Sequence, residues 1–395
     1  MIGRFLRSRG ARKFRRDRLA MVSLGVIAVY LVLALTVSLG GLVSKDDAYA
    51  RVGPNSRVGC LEDPTTEQRL LYLEFWLDEV YSAADGRKPV QDLARIDLYG
   101  RKPIEATPEE LIARIDPLWD VYDELIELYE GEEFETDPGN AARLASLEEE
   151  AAALYTDAEG FAGVLHTLSL SFGTDRQGRS IFLRALYSIK VAVQIGLVSA
   201  LISVTFGTIL GGTAAFFGGW VDNAIVWLYS TFSAIPYIVM LMVLASMFLG
   251  TELEGTLVPV YTAFCLTFWI GPCRIIRGEV LKLRELEYIQ AATAVGFGRV
   301  RILLKHIIPN TTHLMFINFS LLFIGAIKAE VILSFLNLGV KNEPSWGLMI
   351  NHSKQEVISG FFWQIGAATL FMFVLVLAFN IMSDALQDAF DPKHV

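Results

Sequence analysis

The chain is poor in the residues that most enzymes and metal centres use for chemistry. Only 5 of its 395 residues are histidine and only 3 are cysteine. Cys60, Cys265 and Cys273 have neither the spacing of metal ligands nor that of a disulfide framework, so we expect three free thiols. Charged residues make up only 19% of the chain, whereas 53% is hydrophobic and the mean hydropathy is +0.43. That balance excludes an ordinary soluble protein and indicates the membrane class.

The sequence also contains no Gly-Lys dipeptide. It therefore has no P-loop, because that phosphate-binding motif requires Gly-Lys followed by Ser or Thr. Residues 45–165, the most polar part of the chain, show no nucleophile elbow and no His/Cys/Asp cluster with metal-ligand spacing. We therefore predict no catalytic site and no cofactor on this chain, and no feature indicates nucleic-acid binding.

Charge of one sign is scarce in each of two regions. Residues 45–165 hold 11 Lys/Arg against 29 Asp/Glu, a balance of −18. The rest of the chain holds the other 23 Lys/Arg and 14 Asp/Glu, a balance of +9. An acidic, soluble region is therefore joined to an apolar region with basic edges.

Six apolar stretches are long enough to cross a bilayer, which takes about 20 helical residues each. They are 19–43, 191–217, 225–249, 257–276, 315–336 and 362–382. Eight Arg/Lys residues precede the first stretch within residues 1–18, and the positive-inside rule keeps such a basic segment in the cytoplasm. The prediction is an all-α membrane protein with six spans and with both termini inside.

A cleaved signal peptide is the alternative for the first span, because Ala48-Tyr49-Ala50 resembles a cleavage site. An apolar run of about 25 residues is longer than the usual 7–15-residue core of a signal peptide, so we favour an uncleaved anchor. The acidic segment 44–165 then lies outside, and the basic loop before span five lies inside. Four cations before span two contradict this pattern locally: Arg176, Arg179, Arg184 and Lys190.

The acidic segment, called the insert (44–165), is predicted to be a mostly helical domain. Thr107-Pro108-Glu109-Glu110 is a capping box with proline at the first helical position. Apolar residues then recur at spacings of three and four, which predicts one face of a helix, at Leu111, Ile115, Leu118, Tyr122, Leu125 and Tyr129. Leu70, Leu73, Leu77 and Tyr81 indicate a second such helix, and 137–155 a third. The acidic surface is either a solvated face or a docking surface for a partner or a cationic substrate.

The inside loop carries the most informative pattern. Residues 287–296 read Glu-Tyr-Ile-Gln-Ala-Ala-Thr-Ala-Val-Gly, and Pro309 follows thirteen residues after Gly296. The pattern predicts a short helix, a glycine break, a second short helix and a proline stop that opens span five. Ala291 and Ala292 would keep one side of the first helix slim, so that another protein can approach closely.

This loop (about 285–310) resembles the EAA loop of binding-protein-dependent ABC permeases, with Gln290 in place of the usual Glu. The resemblance assigns ATPase coupling to Glu287, Gln290, Ala291, Ala292, Gly296, His306 and Pro309. Further segments are similar to the C-type subunit of oligopeptide and dipeptide permeases: Phe172-Gly173-Thr174-Asp175, Gly178-Arg179, 217–222, 329–336, 344–347 and 384–392. The resemblance covers 1–44 and 166–395, whereas typical members have a much shorter loop in place of the insert.

The resemblance implies a division of labour in a bacterial cytoplasmic (inner) membrane. An extracytoplasmic binding protein delivers substrate, this chain and a sister permease form the pathway as a heterodimer, and two ABC ATPase subunits bind ATP and Mg inside. Peptides are the expected substrate, and nickel, opines or short glycosides are the alternatives within the class. A secondary transporter or channel is a different alternative, which inverted repeats would support; none is visible. A sensor or adhesion role for the insert is a third.

Two ionisable residues lie within span five. Glu330 matches the family pattern, whereas Lys328 stands where an apolar residue is more usual. Two residues apart on a helix, their side chains point about 200° away from each other, so they are not expected to pair. Both are candidates for the substrate pathway. For Glu330 the alternative is a structural hydrogen bond to the sister subunit, and for Lys328 it is snorkelling toward the outer interface.

Overall fold

The computed structural model describes residues 14, 17–85, 101–104, 106–131, 133–157 and 160–390, and helices dominate them. The helices, in chain order, are α1 Arg18–Ser38, α2 Lys45–Tyr49, α3 Thr66–Ala84, α4 Pro108–Glu130, α5 Pro138–Ala152, α6 Phe161–Ser169, α7 Ile181–Phe217, α8 Gly219–Ser233, α9 Tyr237–Ser246, α10 Val258–Phe268, α11 Ile270–Leu283, α12 Glu287–Ala294, α13 Arg299–Ile302, α14 Thr312–Phe335, α15 Trp346–Ile358 and α16 Trp363–Phe390. Two short strands, β1 (Arg101–Pro103) and β2 (Tyr155–Asp157), lie before α4 and after α5. A 3₁₀ turn, Phe134–Thr136, precedes α5.

The described residues form two compact units. The membrane unit comprises residues up to 41, residues 188–352 and residues from 368 onward. The insert unit comprises 42–187 and 353–367. The insert unit is therefore larger than the acidic segment defined from charge, because it includes the first two turns of α7 and the residues from the end of α15 to the start of α16.

Within the described residues, five helical stretches are long and apolar enough to cross a membrane: Arg18–Ser38, Ile181–Phe217, Val258–Leu283, Arg299–Phe335 and Trp363–Ala389. The third predicted span, 225–249, differs from the expected single helix. It consists of α8 and α9, which meet at an angle of 85° and count as one further span if the bent pair crosses together. Pro236 is the N-cap of α9 and has no backbone N–H with which to continue α8, so the helix is interrupted there.

The membrane unit is packed through aromatic rings and small residues. Phe323 of α14 stacks on Phe379 of α16, with ring centroids 4.0 Å apart. Gly196 of α7 also lies against the Phe323 ring, where an added Cβ would come within 2.7 Å of it. Tyr30 of α1 donates its hydroxyl proton to the backbone oxygen of Phe371 at 2.9 Å. These contacts place α7, α14, α16 and α1 side by side.

Span five begins earlier than predicted. The proline stop at Pro309 is wrong, because 299–335 is one helical run from α13 to α14. A π-helical turn, Leu303–Ile307, and a 3₁₀ turn, Ile308–Thr311, connect the two helices. Pro309 lies in the first turn of the 3₁₀ segment, a position that tolerates its missing N–H.

The insert unit has its own hydrophobic core, formed by α3, α4, α5 and the segment after α5. The predicted apolar stripes of α3 and α4 face inward, and Leu77, Ile115 and Leu125 are completely buried. The predicted capping box at Thr107 is confirmed, with Thr107 and Glu110 bonded to each other's backbone N–H groups. Pro117 lies inside the unbroken helix α4. The antiparallel pair β1–β2 was not predicted; Arg101 pairs with Asp157 and Pro103 with Tyr155.

The two ends of the insert meet in an antiparallel ribbon. The N–H groups of Val52, Ser56 and Cys60 donate to backbone oxygens within 171–178 at 2.8–3.0 Å. Gly173 and Gly178 have positive φ, and an added Cβ would collide with the opposite backbone at 2.0 and 2.3 Å. The glycines of the 172–179 motif are therefore required by this close approach.

Trp363 packs against the first strand of this ribbon. Its ring lies against Gly59, where an added Cβ would come within 2.4 Å, and its Nε1–H donates to Glu62 Oε2 at 2.7 Å. We refer to residues 51–62, 171–184 and 353–363 together as the junction. The junction joins the insert to segments that the sequence analysis assigned to the permease.

Candidate coupling loop and transport core

The predicted coupling loop is a pair of short helices anchored by two isoleucines. Ile289 of α12 and Ile302 of α13 are buried in one apolar cluster, where they pack with Ile276 and Val280 of α11 and with Ala215 of α7. Two helices of eight and four residues are too short to be stable alone. Their conformation therefore depends on this anchoring to α7 and α11.

Gly296 and Asn310 set the angle between the two helices. Gly296 has φ = +89°, a conformation that residues with a Cβ rarely adopt. Asn310 donates through Nδ2 to Tyr288 Oη and to the backbone oxygen of His306, both at 2.8 Å. One amide thus connects α12 to the start of span five. This role of Asn310 was not predicted, since sequence spacing does not show that Tyr288 lies beside it.

The exposed surface of the loop carries several large apolar side chains. Six large hydrophobic side chains between 286 and 304 are exposed: Leu286, Tyr288, Val295, Phe297, Val300 and Leu304. Val295 is 77% exposed, Leu304 61% and Val300 60%. Arg299 and Arg301 are exposed among them, and the Arg301 guanidinium lies 5.4 Å from the Phe297 ring centroid. Contiguous exposed apolar side chains beside charged residues are typical of protein docking surfaces.

The residues assigned to coupling by resemblance divide into two groups. Glu287, Gln290, Ala291 and Gly296 are exposed, and Gln290 Nε2 donates to the Glu285 backbone oxygen at 3.1 Å. His306, Pro309 and Ala292 are half-buried. Both alanines were expected to form one slim, accessible side of α12. Ala292 instead packs against the anchoring cluster, so of the two only Ala291 is exposed on that helix surface. Adjacent helical residues point about 100° apart, which explains the difference.

Polar groups missed by sequence reasoning hold the helices that support the loop. Arg277 of α11 makes a two-bonded pair with Asp222 of α8, at 2.6 and 2.7 Å. Arg284 donates through Nη1 to the Ala215 backbone oxygen near the end of α7, at 2.9 Å. Cations near helix C-termini satisfy carbonyl groups that the helix leaves free. Asp222 and Arg277 are 55 residues apart, so no local pattern joins them.

Two glycines bring α7 into close contact with the helices of span four. A Cβ on Gly207 would lie 2.6 Å from the Trp269 oxygen, and one on Gly211 would lie 2.3 Å from the Cys273 oxygen. The spacing is G-x-x-x-G, which places both glycines on one face of the helix and lets two backbones approach in lipid. This close contact packs α7 against the end of α10 and against α11, and α11 leads directly into the loop.

The two ionisable residues of span five have opposite environments. Glu330 is buried, and its Oε1 accepts a hydrogen bond from Ser334 Oγ at 2.7 Å. A Cβ on Gly347, in the first turn of α15, would lie 3.1 Å from Glu330 Oε2. The carboxyl group therefore packs under the turn that begins α15. Lys328 is exposed, which agrees with the predicted divergence of the two side chains.

Among the residues that the structure describes, no group of three or more His, Cys, Asp or Glu side chains could hold a metal ion.

The chain is similar to several known proteins. The family described as "Binding-protein-dependent transport system inner membrane component" matches residues 203–394. The dipeptide transport system permease protein DppC of Bacillus subtilis is 36% identical over 226 residues, which are 56% of this chain and 68% of the relative. The oligopeptide permease OppC of Haemophilus influenzae is 33% identical over 56% of this chain and 70% of the relative.

Two further similarities are weaker or have a different substrate in their names. The glutathione transport system permease GsiD of Pectobacterium atrosepticum is 32% identical over 56% of this chain and 72% of the relative. A chain of the inward-facing methionine ABC transporter MetNI covers 53% of this chain and 97% of its own length, with a TM-score of 0.43 and 13% identity.

The protein is a multi-pass, non-catalytic membrane subunit of an ABC importer, located in the bacterial inner membrane. It belongs to the family of binding-protein-dependent transport system inner membrane components. Members of this family work with partner ATPase and substrate-binding proteins, and ATP is hydrolysed on the ATPase subunits.

Proposed function

We propose that this chain is the C-type permease of a peptide importer and that its EAA loop, residues 285–310, is the surface that docks an ATPase subunit. One observation carries the proposal: α12 and α13 are anchored inward by Ile289 and Ile302 while they present an apolar surface outward. Because this surface is exposed and also anchored to α7 and α11, a displacement caused by a docked partner can be transmitted to those helices.

The helical run 299–335 connects the loop directly to span five. Because α13 continues into span five through a π turn and a 3₁₀ turn, displacement of the loop moves the span with it. The Arg277–Asp222 pair and the Arg284 contact tie the neighbouring helices α11, α8 and α7 to the same movement. We infer that closure of the ATP-loaded ATPases swings these helices as a body, which is alternating access by rigid-body motion.

The assembly that we propose has a sister permease, two ATPase subunits that carry ATP and Mg, and an extracytoplasmic binding protein. The substrate class rests on relatives whose names specify dipeptides, oligopeptides and glutathione. For Glu330 we propose a structural role within its own chain, in place of the predicted hydrogen bond to the sister subunit, because its carboxyl group accepts from Ser334 beside Gly347. Lys328, exposed on the same helix, is the pathway or interface candidate.

Gly296→Val tests the coupling role. Valine is strained at φ = +89°, so the helix pair must open to a different angle while its buried anchors are untouched. Gly298→Val is the matched control, because Gly298 has φ = −59° and no atom within 4 Å of an added Cβ. We expect Gly296→Val to abolish substrate-stimulated ATPase activity of the assembled transporter and Gly298→Val to preserve it.

Cysteine cross-linking locates the partner directly. A cysteine at Val295, the most exposed of the six apolar positions, should cross-link to an ATPase subunit, whereas one at the buried Ile302 should not. Normal coupling in Gly296→Val, or failure of the Val295 position to reach the ATPase, would contradict the proposed docking surface. Uptake of labelled dipeptides by proteoliposomes that contain the whole importer tests the substrate class separately.

A further inference from the structure

The junction contains a buried carboxyl group that the proposed coupling mechanism does not use. Glu356 of α15 is only 3% exposed. Its Oε1 accepts a hydrogen bond from the backbone N–H of Arg176 at 3.2 Å. Its Oε2 is also buried and has no hydrogen-bond partner among the described residues. An ionised carboxylate with one unpartnered oxygen is costly to bury, so this position needs an explanation.

The cations around Glu356 bond to other groups. Asp175 accepts from Arg179 Nε at 2.8 Å and from Arg184 Nη1, and it also accepts the backbone N–H of Arg179 at 3.0 Å. The Arg176 side chain bonds to Gln355. On the far side, the Arg179 guanidinium lies 5.6 Å from the Tyr49 ring centroid. Asp175 thus has the direct ion pairs, and Glu356 has none of them.

The two neighbouring carboxyl groups consequently differ in proton affinity. Burial would raise the pKa of Asp175, but the Arg184 and Arg179 guanidinium groups hold it below its usual value. Burial raises the pKa of Glu356 to about 7, and the negative charge of Asp175 adds to the effect, although the Arg176 N–H, Arg184 and the Arg176 charge oppose it. One carboxyl group stays ionised, and the other can gain or lose a proton near neutral pH.

We propose that Glu356 is a proton-binding site of the insert unit, and that its protonation state controls how firmly the junction is closed. A neutral Glu356 is compatible with a dry pocket between α15 and the 171–184 segment. An ionised Glu356 requires water or a rearranged cation, and either one loosens the hydrogen-bonded ribbon beside it. The proposal concerns the insert unit alone and does not depend on the ATPase docking surface.

The direction of the pH effect follows from linkage. The folded-state pKa of about 7 lies above the value of about 4.3 for an exposed glutamate. The stabilising contribution is therefore complete below the unfolded pKa and is lost as the pH rises through the folded one. Asp175, with its lowered pKa, contributes in the opposite sense and only in acid. The junction should thus loosen between mildly acidic and mildly alkaline pH.

Hydrogen exchange of the full transporter in nanodiscs measures this opening directly. The amide groups of Val52, Cys60 and Thr174 report on the ribbon, because each donates a backbone hydrogen bond within it. After correction for intrinsic exchange, their opening equilibrium should rise about ten- to a hundred-fold between about pH 5.5 and pH 8.5. The core amides of α4, in the same molecule, should show no such rise.

Two neutral variants assign the effect to the residue. Glu356→Gln and Glu356→Met cannot ionise, so both should keep the junction closed at all pH values and abolish the pH dependence. Glu343→Gln is the control, because Glu343 forms a partly exposed pair with Lys190 in the membrane unit, and it should leave the pH profile unchanged. Protection of the α4 core verifies that each variant is folded.

Two results would overturn the proposal. One is exchange of the wild-type ribbon that parallels the α4 core across the pH range. The other is a pH dependence that persists in either folded neutral variant. The wild-type series alone decides the case if both variants fail to fold, since Glu356 must titrate in it. ATPase stimulation measured on the same samples keeps this result separate from the coupling role of the loop.

Discussion

The insert unit and the membrane unit are both helical, but their sequences specify helices differently. In α4, apolar residues recur every three or four positions, and those at Leu111, Ile115 and Leu118 are buried. In α7, apolar residues occur on all sides, and Leu201 and Ile209 are more than half exposed. Apolar periodicity therefore identifies the inward face of α4 but not that of α7.

The solvent explains the contrast. Water outside the insert makes burial of leucine favourable, so its core follows the hydrophobic pattern. Lipid is as apolar as leucine, so the interior of the membrane unit is marked by small and polar residues instead. Gly211 is buried against a backbone carbonyl, and Asn318 is buried on α14 with its side chain bonded to the Leu314 backbone oxygen.

The largest effect is expected from a core truncation in the insert. Leu77→Ala removes a completely buried side chain of α3 and should cost about 2–5 kcal/mol of insert-unit stability. Leu71→Ala, on the same helix but 46% exposed, is the matched control and should change little. Hydrogen exchange of the α3–α5 core measures both. Equal effects of the two truncations would mean that burial pattern does not determine stability here.

A small-to-large change should have the next largest effect, and in the membrane unit. Gly211→Val places a side chain where an added Cβ is already 2.3 Å from the Cys273 oxygen, at a cost of about 3 kcal/mol because backbone must move. Gly271→Val, with no atom within 4 Å of an added Cβ, is the control. Thermal stability of the detergent-solubilised chain should fall only for Gly211→Val. A similar fall in both variants would refute the close-packing interpretation.

The smallest effect concerns the acidic surface of the insert. Asp116, Asp120, Asp123 and Glu127 are exposed along one side of α4 at spacings of three and four, which we call the acidic stripe. If a binding protein docks there, its on-rate should fall as salt rises, since charges beyond about 8–10 Å are screened. Neutralising the stripe should flatten that dependence. The control neutralises four scattered acids: Asp63, Glu67, Glu109 and Glu149.

Stopped-flow binding measures the on-rates for the wild type and for both neutralised variants. Flattening by the stripe variant alone supports docking. Identical salt curves for all three proteins would leave the insert surface as a solvated face, the other interpretation that its charge allows.

Much of the fold was accessible from sequence because length and periodicity are local properties. The capping box at Thr107 and the stripe beginning at Leu111 were readable for that reason. The break at Pro236 and the continuation through Pro309 were not, since proline ends a helix in one case and is accommodated by 3₁₀ geometry in the other. The start of α7 predicted from hydropathy is also about ten residues late, because Arg184 and Lys190 interrupt the apolar run.

The candidate loop was located by its spacing, but its internal contacts were not. The pattern indicated a glycine break, and Gly296 indeed has positive φ. Which alanine faces outward, and the bond from Asn310 to Tyr288, depend on helix rotation and on contacts 22 residues apart. The Asp175–Glu356 neighbourhood spans 181 positions of sequence and leaves no local signal.

The paired ends of the insert have a consequence for how such a protein can be modified or can have arisen. Because 51–60 and 171–178 run side by side, the chain leaves and returns at nearly the same place. A whole domain can be inserted or deleted at such a point without changing the distance that the rest of the chain must span. An informative deletion therefore keeps both ribbon strands, 51–60 and 171–178, and removes only residues that lie between them in the sequence. Removing one strand as well would expose the backbone of the other.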